Sequence, residues 1–216
     1  MHLKRNNIKN FWPIPRKGTK FVAVPSHNQY EALPLVVVMR DILKLVRNNK
    51  ELKKVIHEKQ VLVNNKIIHD TNYPISLFDI INLPHINKHY KAIISKNKKM
   101  DFEEINNKEK TKVLKVICKK VIDSKNIQLN LMHGWNVISK EKVNTGDSVV
   151  INMEDKKIVK IIPLEKGRKV IVIKGKHTGN TGKIEEIIER GGKKLVKISS
   201  DDKKINVWVK NIILTE

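Results

Sequence analysis

The chain has 216 residues, with 44 Lys plus Arg against 22 Asp plus Glu, a formal net charge of +22. One-signed charge of that size weakens a compact state by self-repulsion and calls for a polyanion, so nucleic acid is the first expected partner and an acidic membrane surface the second. A membrane needs an apolar anchor or a strongly amphipathic basic helix; the longest apolar run, residues 33–39, contains Pro34 and falls far short of the roughly 20 residues that span a bilayer, and no apolar signal segment follows the basic start.

Residues 1–33 form a basic arm that carries no acid before Glu31 and holds Lys4, Arg5, Lys9, Arg16, Lys17 and Lys20. Pro13 and Pro15 disfavour regular pairing, and so little apolar surface predicts poor order in the protein alone. Phe11 and Trp12 are the exceptions, able to pack on a domain or to stack on a base. Residues 34–87 form a small α/β module. Pro34 suits the first turn of a helix, and Leu35, Val38, Met39, Ile42 and Val46 draw one buried stripe at helical spacing. Arg40, Lys44 and Arg47 recur on another face of that helix, before Asn48-Asn49 breaks the pattern. A second helix is predicted over 50–58, with Leu52, Val55 and Ile56 inward and Lys50, Lys53, Lys54 and His57 outside. A hairpin follows: Val61-Leu62-Val63, the turn Asn64-Asn65, then Lys66-Ile67-Ile68, since Asn tolerates the positive φ of tight turns. The apolar segment 75–83 closes the module.

Residues 88–164 read as a β-rich middle. Residues 113–122 fit strand or helix, and their β-branching favours a strand; the polar stretch 96–110 reads as a loop or short helix. Thr145-Gly146-Asp147 is a turn feeding a strand over 148–152, and 157–162 is a further strand. The single cysteine, Cys118, excludes an internal disulfide and a Cys-based zinc cluster, is expected as a small buried apolar group, and suits a cytosolic protein. Residues 165–216 hold a strand over 169–173, a glycine-rich loop over 175–182, and short strands over 184–189, 195–199 and 205–209, separated by Gly191-Gly192 and Asp201-Asp202. That spacing suggests a small barrel. The fold class expected is α+β, β-rich, from modules small enough to need one another or RNA for stability.

Aromatic residues make up 5% of the chain, so phosphate contacts rather than base stacking should dominate. In the C-terminal loop Gly175, Gly179 and Gly182 can take positive φ and bring backbone N–H groups close to a phosphate, while Lys174, Lys176 and Lys183 supply charge. A mononucleotide P-loop is excluded: Ile184 follows Gly182-Lys183, and His177 stands where the first glycine is needed. His85 and His89 stand four apart, but Pro84 precedes them and no other ligand cluster accompanies them, so neither metal nor cofactor is expected. The adjacent pairs Glu103-Glu104, Glu185-Glu186 and Asp201-Asp202 read as solvated surface, whereas catalytic carboxylates need a shared pocket. An enzyme is not expected.

Residues 35–83, through Arg40-Asp41, the second helix and Val61-Leu62-Val63-Asn64, resemble the helix–helix–hairpin RNA-binding fold first named for a ribosomal protein and shared with some pseudouridine synthases and tyrosyl-tRNA synthetases. Residues 166–184 resemble the KOW motif of ribosomal proteins and transcription elongation factors. Across the whole length the chain resembles the archaeal and eukaryotic type of small-subunit ribosomal protein four, the e-suffixed family. The residues that carry this are Met1-His2-Leu3-Lys4-Arg5, Trp12-Pro13-Ile14-Pro15-Arg16-Lys17-Gly18-Thr19-Lys20, Arg40-Asp41-Ile42-Leu43, Gln128-Leu129-Asn130 and Gly146-Asp147-Ser148-Val149. The resemblance implies a structural role in the cytoplasmic ribosome. Its partners would be small-subunit rRNA and neighbouring ribosomal proteins, with no small-molecule substrate, and the C-terminal barrel would be SH3-like. Two stretches depart from the family: its His-Asp-Gly-Arg-Asn reads Met132-His133-Gly134-Trp135-Asn136, and its Pro-Gly-Pro-His is altered around Pro25-Ser26-His27-Asn28. The end directly after the barrel favours an archaeal source. An RNA-modifying or regulatory RNA-binding protein carrying the same modules is the alternative.

Overall fold

The computed structural model describes residues 2–106, 110–123, 126–200 and 203–215, and the chain divides into two compact units, Met1–Lys110 and Thr111–Glu216. The first contains β1 (Leu3–Lys4), β2 (Phe21–Val22), β3 (Leu33–Pro34), α1 (Leu35–Val37), α2 (Asn49–His57), β4 (Leu62–Val63), β5 (Lys66–Ile67), β6 (Pro74–Ile75), β7 (Ile80–Leu83), β8 (Lys88–Ile94) and β9 (Met100–Ile105).

The basic arm is folded, against the expectation from its composition. β1 pairs antiparallel with β2, and the loop between them closes round Arg5. Its guanidinium donates to the carbonyls of Thr19 and Pro15, each at 2.7 Å, and to Thr19 Oγ1 at 3.0 Å. Gly18 has φ +142°, and a Cβ there would lie 2.9 Å from Arg5 Cζ, so only glycine lets the chain pass over the guanidinium in this geometry. Trp12 is 2% exposed, and Leu3, Ile8, Phe11, Ile14 and Val22 pack against the same core. These anchors are spaced irregularly, so they leave no periodic signal.

The long helix expected from Pro34 onward is not formed. α1 runs directly into a wider turn over Val38–Ile42, in which Leu43 N donates to Val38 O at 2.9 Å, an i→i+5 bond, and Lys44 then takes the left-handed φ of 54°. Val36 to Val38 keep helical backbone and the break comes only after Ile42; with residues 35–39 all buried, packing decides the backbone. α2 is close to the predicted span. The Asn48 side chain caps it by accepting from Glu51 N at 2.9 Å, and Leu52 and Ile56 are buried. The predicted hairpin is β4–β5, with Asn64 at φ 51° and Asn65 at φ 63°. β4 continues into the sheet β5-β4-β7-β8-β9. Two further expectations are corrected here. β8 is hydrogen-bonded to β7, so this sheet crosses the boundary expected at 87/88. β9 occupies part of the polar stretch expected to be a loop or short helix; as an edge strand it buries only Met100 and half-buries Phe102 and Ile105, which hides it in the composition. Residues 107–109 of that stretch lie outside the described residues.

The second unit comprises β10 (Thr111–Val121), β11 (Ile127–Leu131), β12 (Asn136–Ser139), β13 (Ser148–Asn152), β14 (Ile158–Ile162), β15 (Lys169–Val172), β16 (Thr181–Arg190), β17 (Lys193–Ser200), β18 (Lys203–Trp208) and β19 (Ile212–Thr215). Two five-stranded antiparallel sheets result, ordered β12-β11-β10-β13-β14 and β18-β17-β16-β15-β19. β10 and β13 are covered on both faces: Leu114, Val116, Val149 and Ile151 enter one core, while Val150 and Val113 pack in the core of the second sheet. Ser148 Oγ accepts from Leu214 N at 3.1 Å, and the Asp147 carboxylate accepts from Asn144 N and Leu164 N, both at 2.9 Å. Gly146-Asp147-Ser148 is therefore a joint between the two sheets. β10 pairs with β13 only over 111–115, and a bulge follows Val116. Beyond it Cys118 is exposed, not buried as expected, because the strand has left the region covered on both faces. The Gly191-Gly192 turn is present, and the Asp201-Asp202 turn lies outside the described residues.

Candidate nucleic-acid interface

α2 gives the clearest basic face. Residues three and four apart share a helix face, and Lys50, Lys53, Lys54 and His57 are all exposed opposite the buried Leu52 and Ile56. The Asn64-Asn65 turn that presents Lys66 is fixed from below: Asn64 Nδ2 donates to Asp79 Oδ1 at 2.6 Å, and Asn82 Nδ2 donates to Asn65 Oδ1 at 2.8 Å.

Arg40, Lys44 and Arg47 do not form the predicted helical face. Arg40 is held by its neighbour, with Nε and Nη2 each 2.8 Å from the Asp41 carboxylate. Lys44 sits at the left-handed break, and Arg47 lies in the connection to α2, its backbone N–H donating to Glu51 Oε2 at 2.7 Å. On the arm, Lys4, Lys9, Arg16, Lys17 and Lys20 are exposed. Lys9 Nζ lies 5.2 Å from the Tyr30 ring centroid, and Lys20 Nζ 5.6 Å from that of Phe21. Arg5 is committed to its own loop and Trp12 to the core, so neither presents the RNA-contacting group expected of it.

In the second unit Lys174, Gly175, Lys176 and Lys183 are exposed and Gly179 is half-buried. Gly175 and Gly179 take φ +103° and +87°, as predicted. Three of the loop's N–H groups serve the protein: Gly179 N donates to Val172 O at 2.8 Å, Asn180 N to His177 O at 3.2 Å and Thr178 N to Gly175 O at 3.4 Å. Gly182 has a different role, since a Cβ there would meet Ser199 O at 2.3 Å across the β16–β17 pairing. The loop's exposed charge is carried by Lys174 and Lys176, with Lys183 just beyond it on β16.

Sequence reading also passed over Lys115, which alternation places on a buried face of β10. It is 6% exposed, and its Nζ donates to the carbonyls of Val209 and, at 3.0 Å, Ile212. Burial, with Lys174 nearby, lowers its pKa to about 8. Lys115→Met removes this donor from two carbonyls and is expected to cost about 1–3 kcal/mol at pH 7. A pKa lower in the folded than in the unfolded chain adds stability as pH rises from about 8 to the ordinary lysine value of 10.5. Urea unfolding of wild type and Lys115→Met at several pH values should therefore show the wild-type advantage growing across that window. A constant difference would contradict the assignment.

Such exposed lysine faces on a β-rich frame define a basic protein built to meet a polyanion. Comparison with known proteins narrows the class. The profile of the Ribosomal family S4e matches residues 86–158. The chain is 38% identical over 189 residues to the small ribosomal subunit protein eS4 of Methanocella arvoryzae, covering 86% of this chain and 80% of that protein. It is 32% identical over 219 residues to the eS4 of Nanoarchaeum equitans, covering 98% and 94%. The crystal structure of the 30S ribosomal protein S4e of Thermoplasma acidophilum shares the fold, with a TM-score of 0.73 at 24% identity over 85% of this chain and 94% of that one. The chain belongs to the S4e family of ribosomal proteins.

Proposed function

We infer that the chain is a structural, non-catalytic constituent of the small ribosomal subunit in the cytoplasm. The observation that carries this is similarity to eS4 along nearly its whole length, 98% of the chain and 94% of the relative from Nanoarchaeum equitans. The RNA-modifying and regulatory alternatives have no support beside it.

The chain meets small-subunit rRNA through its phosphates, because the exposed cations are mostly lysines and the exposed aromatics are few. Lys50, Lys53 and Lys54 on α2, with Lys66 at the hairpin, form one contact face in a helix–helix–hairpin module whose first helix is shortened. Lys4, Lys9, Arg16, Lys17 and Lys20 line the folded arm. Lys174, Lys176 and Lys183 form a further face on residues 165–216, whose five strands make an SH3-like barrel with a KOW loop. Neighbouring ribosomal proteins complete its surroundings.

The test is sedimentation of the tagged protein from its own cells. It should travel with the small subunit and leave it only in a high-salt wash. Recovery at the top of the gradient under low-salt conditions would overturn the reading.

A further inference from the structure

The second unit holds a basic cluster that the glycine loop alone does not account for. Pairing of Val172 with Ile212 and of Ile171 with Thr181 sets the end of β15 beside the starts of β19 and β16. The turn Val209–Asn211, which leads into β19, thus lies against the loop: Ile173 N donates to Asn211 O at 2.7 Å, and a Cβ on Gly175 would stand 3.6 Å from Asn211 Nδ2. Lys210 in this turn is exposed, as are Lys174 and Lys176 in the loop.

We propose that the loop and this turn form one phosphate-binding site on the S4e chain, in which Lys210 holds RNA phosphate together with Lys174 and Lys176. The inference rests on the rRNA-binding reading above and extends it to residues outside the KOW-like segment.

Three observations support it. Lys115 donates to the carbonyls of Val209 and Ile212 from inside, so a further cation lies beneath this turn. Cations also stand close together along β15 and its loop. Lys169 stands directly opposite Lys183 across β15–β16, an arrangement that costs stability between like charges and that a bound polyanion relieves; the neighbour that perturbs Lys115 is likewise a cation, Lys174. The carboxylates further along β16 are engaged elsewhere: Glu186 with Lys197 at 2.7 Å, Glu185 with Lys204 at 3.4 Å and Glu189 with Lys194 at 3.6 Å. That half of the sheet is close to charge balance, so it does not compete for RNA.

The experiment measures binding of the full chain to in vitro transcribed small-subunit rRNA as a function of salt. It compares wild type with Lys210→Gln and with Lys194→Gln, whose lysine is paired with Glu189. Because Lys210 is exposed, its replacement should leave the thermal midpoint unchanged, which is checked first. Lys210→Gln is expected to weaken binding about tenfold, as for one charged hydrogen bond, and to reduce the logarithmic salt slope by roughly 0.7–0.9, as for one lost phosphate contact. Lys194→Gln should change neither. If wild type binds with a steep slope and Lys210→Gln matches it, the composite site is refuted while the rRNA reading stands. If wild type itself shows no salt-dependent binding, both fall together.

Discussion

Affinity of the chain for small-subunit rRNA is expected to drop by roughly 10³–10⁵ between about 50 and about 200 mM salt, the behaviour of a protein making roughly 6–10 phosphate contacts. The charge supports a number in that range, although not every cation can contribute. Of the net +22, some is spent inside the protein. Arg5 is enclosed by the carbonyls of Thr19 and Pro15, Arg40 is bound to Asp41, and Lys115 is bound to Val209 and Ile212. Lys197, Lys204 and Lys194 face glutamates. The arm, the α2 face and the C-terminal cluster are among what remains, and each contact there releases counterions. Filter binding across a salt series measures the slope directly. A slope near zero would show that surface shape or apolar docking holds the protein, and the electrostatic account would be lost.

The elements that could be read from sequence are those whose local chemistry and packing agree. α2 has a capping Asn48 and a clean apolar stripe at Leu52 and Ile56, and the hairpin has two residues, Asn64 and Asn65, that tolerate left-handed backbone. β13 and β15 are short β-branched runs between turns. Elements decided by tertiary packing could not be read. Spacing at Leu35, Val38, Met39 and Ile42 fits a helix, but a fully buried run gives the same spacing whether the backbone is helical or turns outward after Ile42. β19 is buried at Ile212, Ile213 and Leu214 in succession, so it lacks the alternation that marks a strand with one wet face. The missing strand in turn hid Lys210, which belongs to the site only because β19 pairs with β15. Lysine is taken as a surface residue by default, which is why Lys115 escaped notice. The basic faces were legible as charge but only in part as geometry: Lys50, Lys53 and Lys54 share a face because α2 runs unbroken through them, and Arg40, Lys44 and Arg47 do not because the chain leaves helical geometry after Ile42.

Trp12→Ala is expected to cost about 3–5 kcal/mol in the first unit, the usual range for truncating a large buried aromatic. The composition of the arm argues for the opposite result, since ordering each residue costs roughly 1–2 kcal/mol of backbone entropy and 1–20 contain six basic side chains and no acid. Trp12 reverses that balance. Its side chain is 2% exposed, and the chain on either side is tethered. Met100 N donates to Phe11 O at 2.9 Å, Lys99 Nζ to Trp12 O at 3.3 Å, and Arg5 N to Lys20 O at 2.9 Å. The loop is thus closed at its base by β1–β2, filled by Arg5 and pinned at Trp12, and removing the pin leaves a cavity in the core that also contains Met39, Val46 and Leu52. Hydrogen exchange on the full chain without RNA separates the possibilities. In wild type the amides of Arg5 and Trp12, which have carbonyl partners in Lys20 and Lys9, should be protected. In Trp12→Ala that protection should collapse, with faster exchange in β8 and β9, while the amides of Thr111–Glu216 keep their rates. Equal exchange of the arm in both proteins at the rate of an unstructured chain would mean that it orders only on RNA.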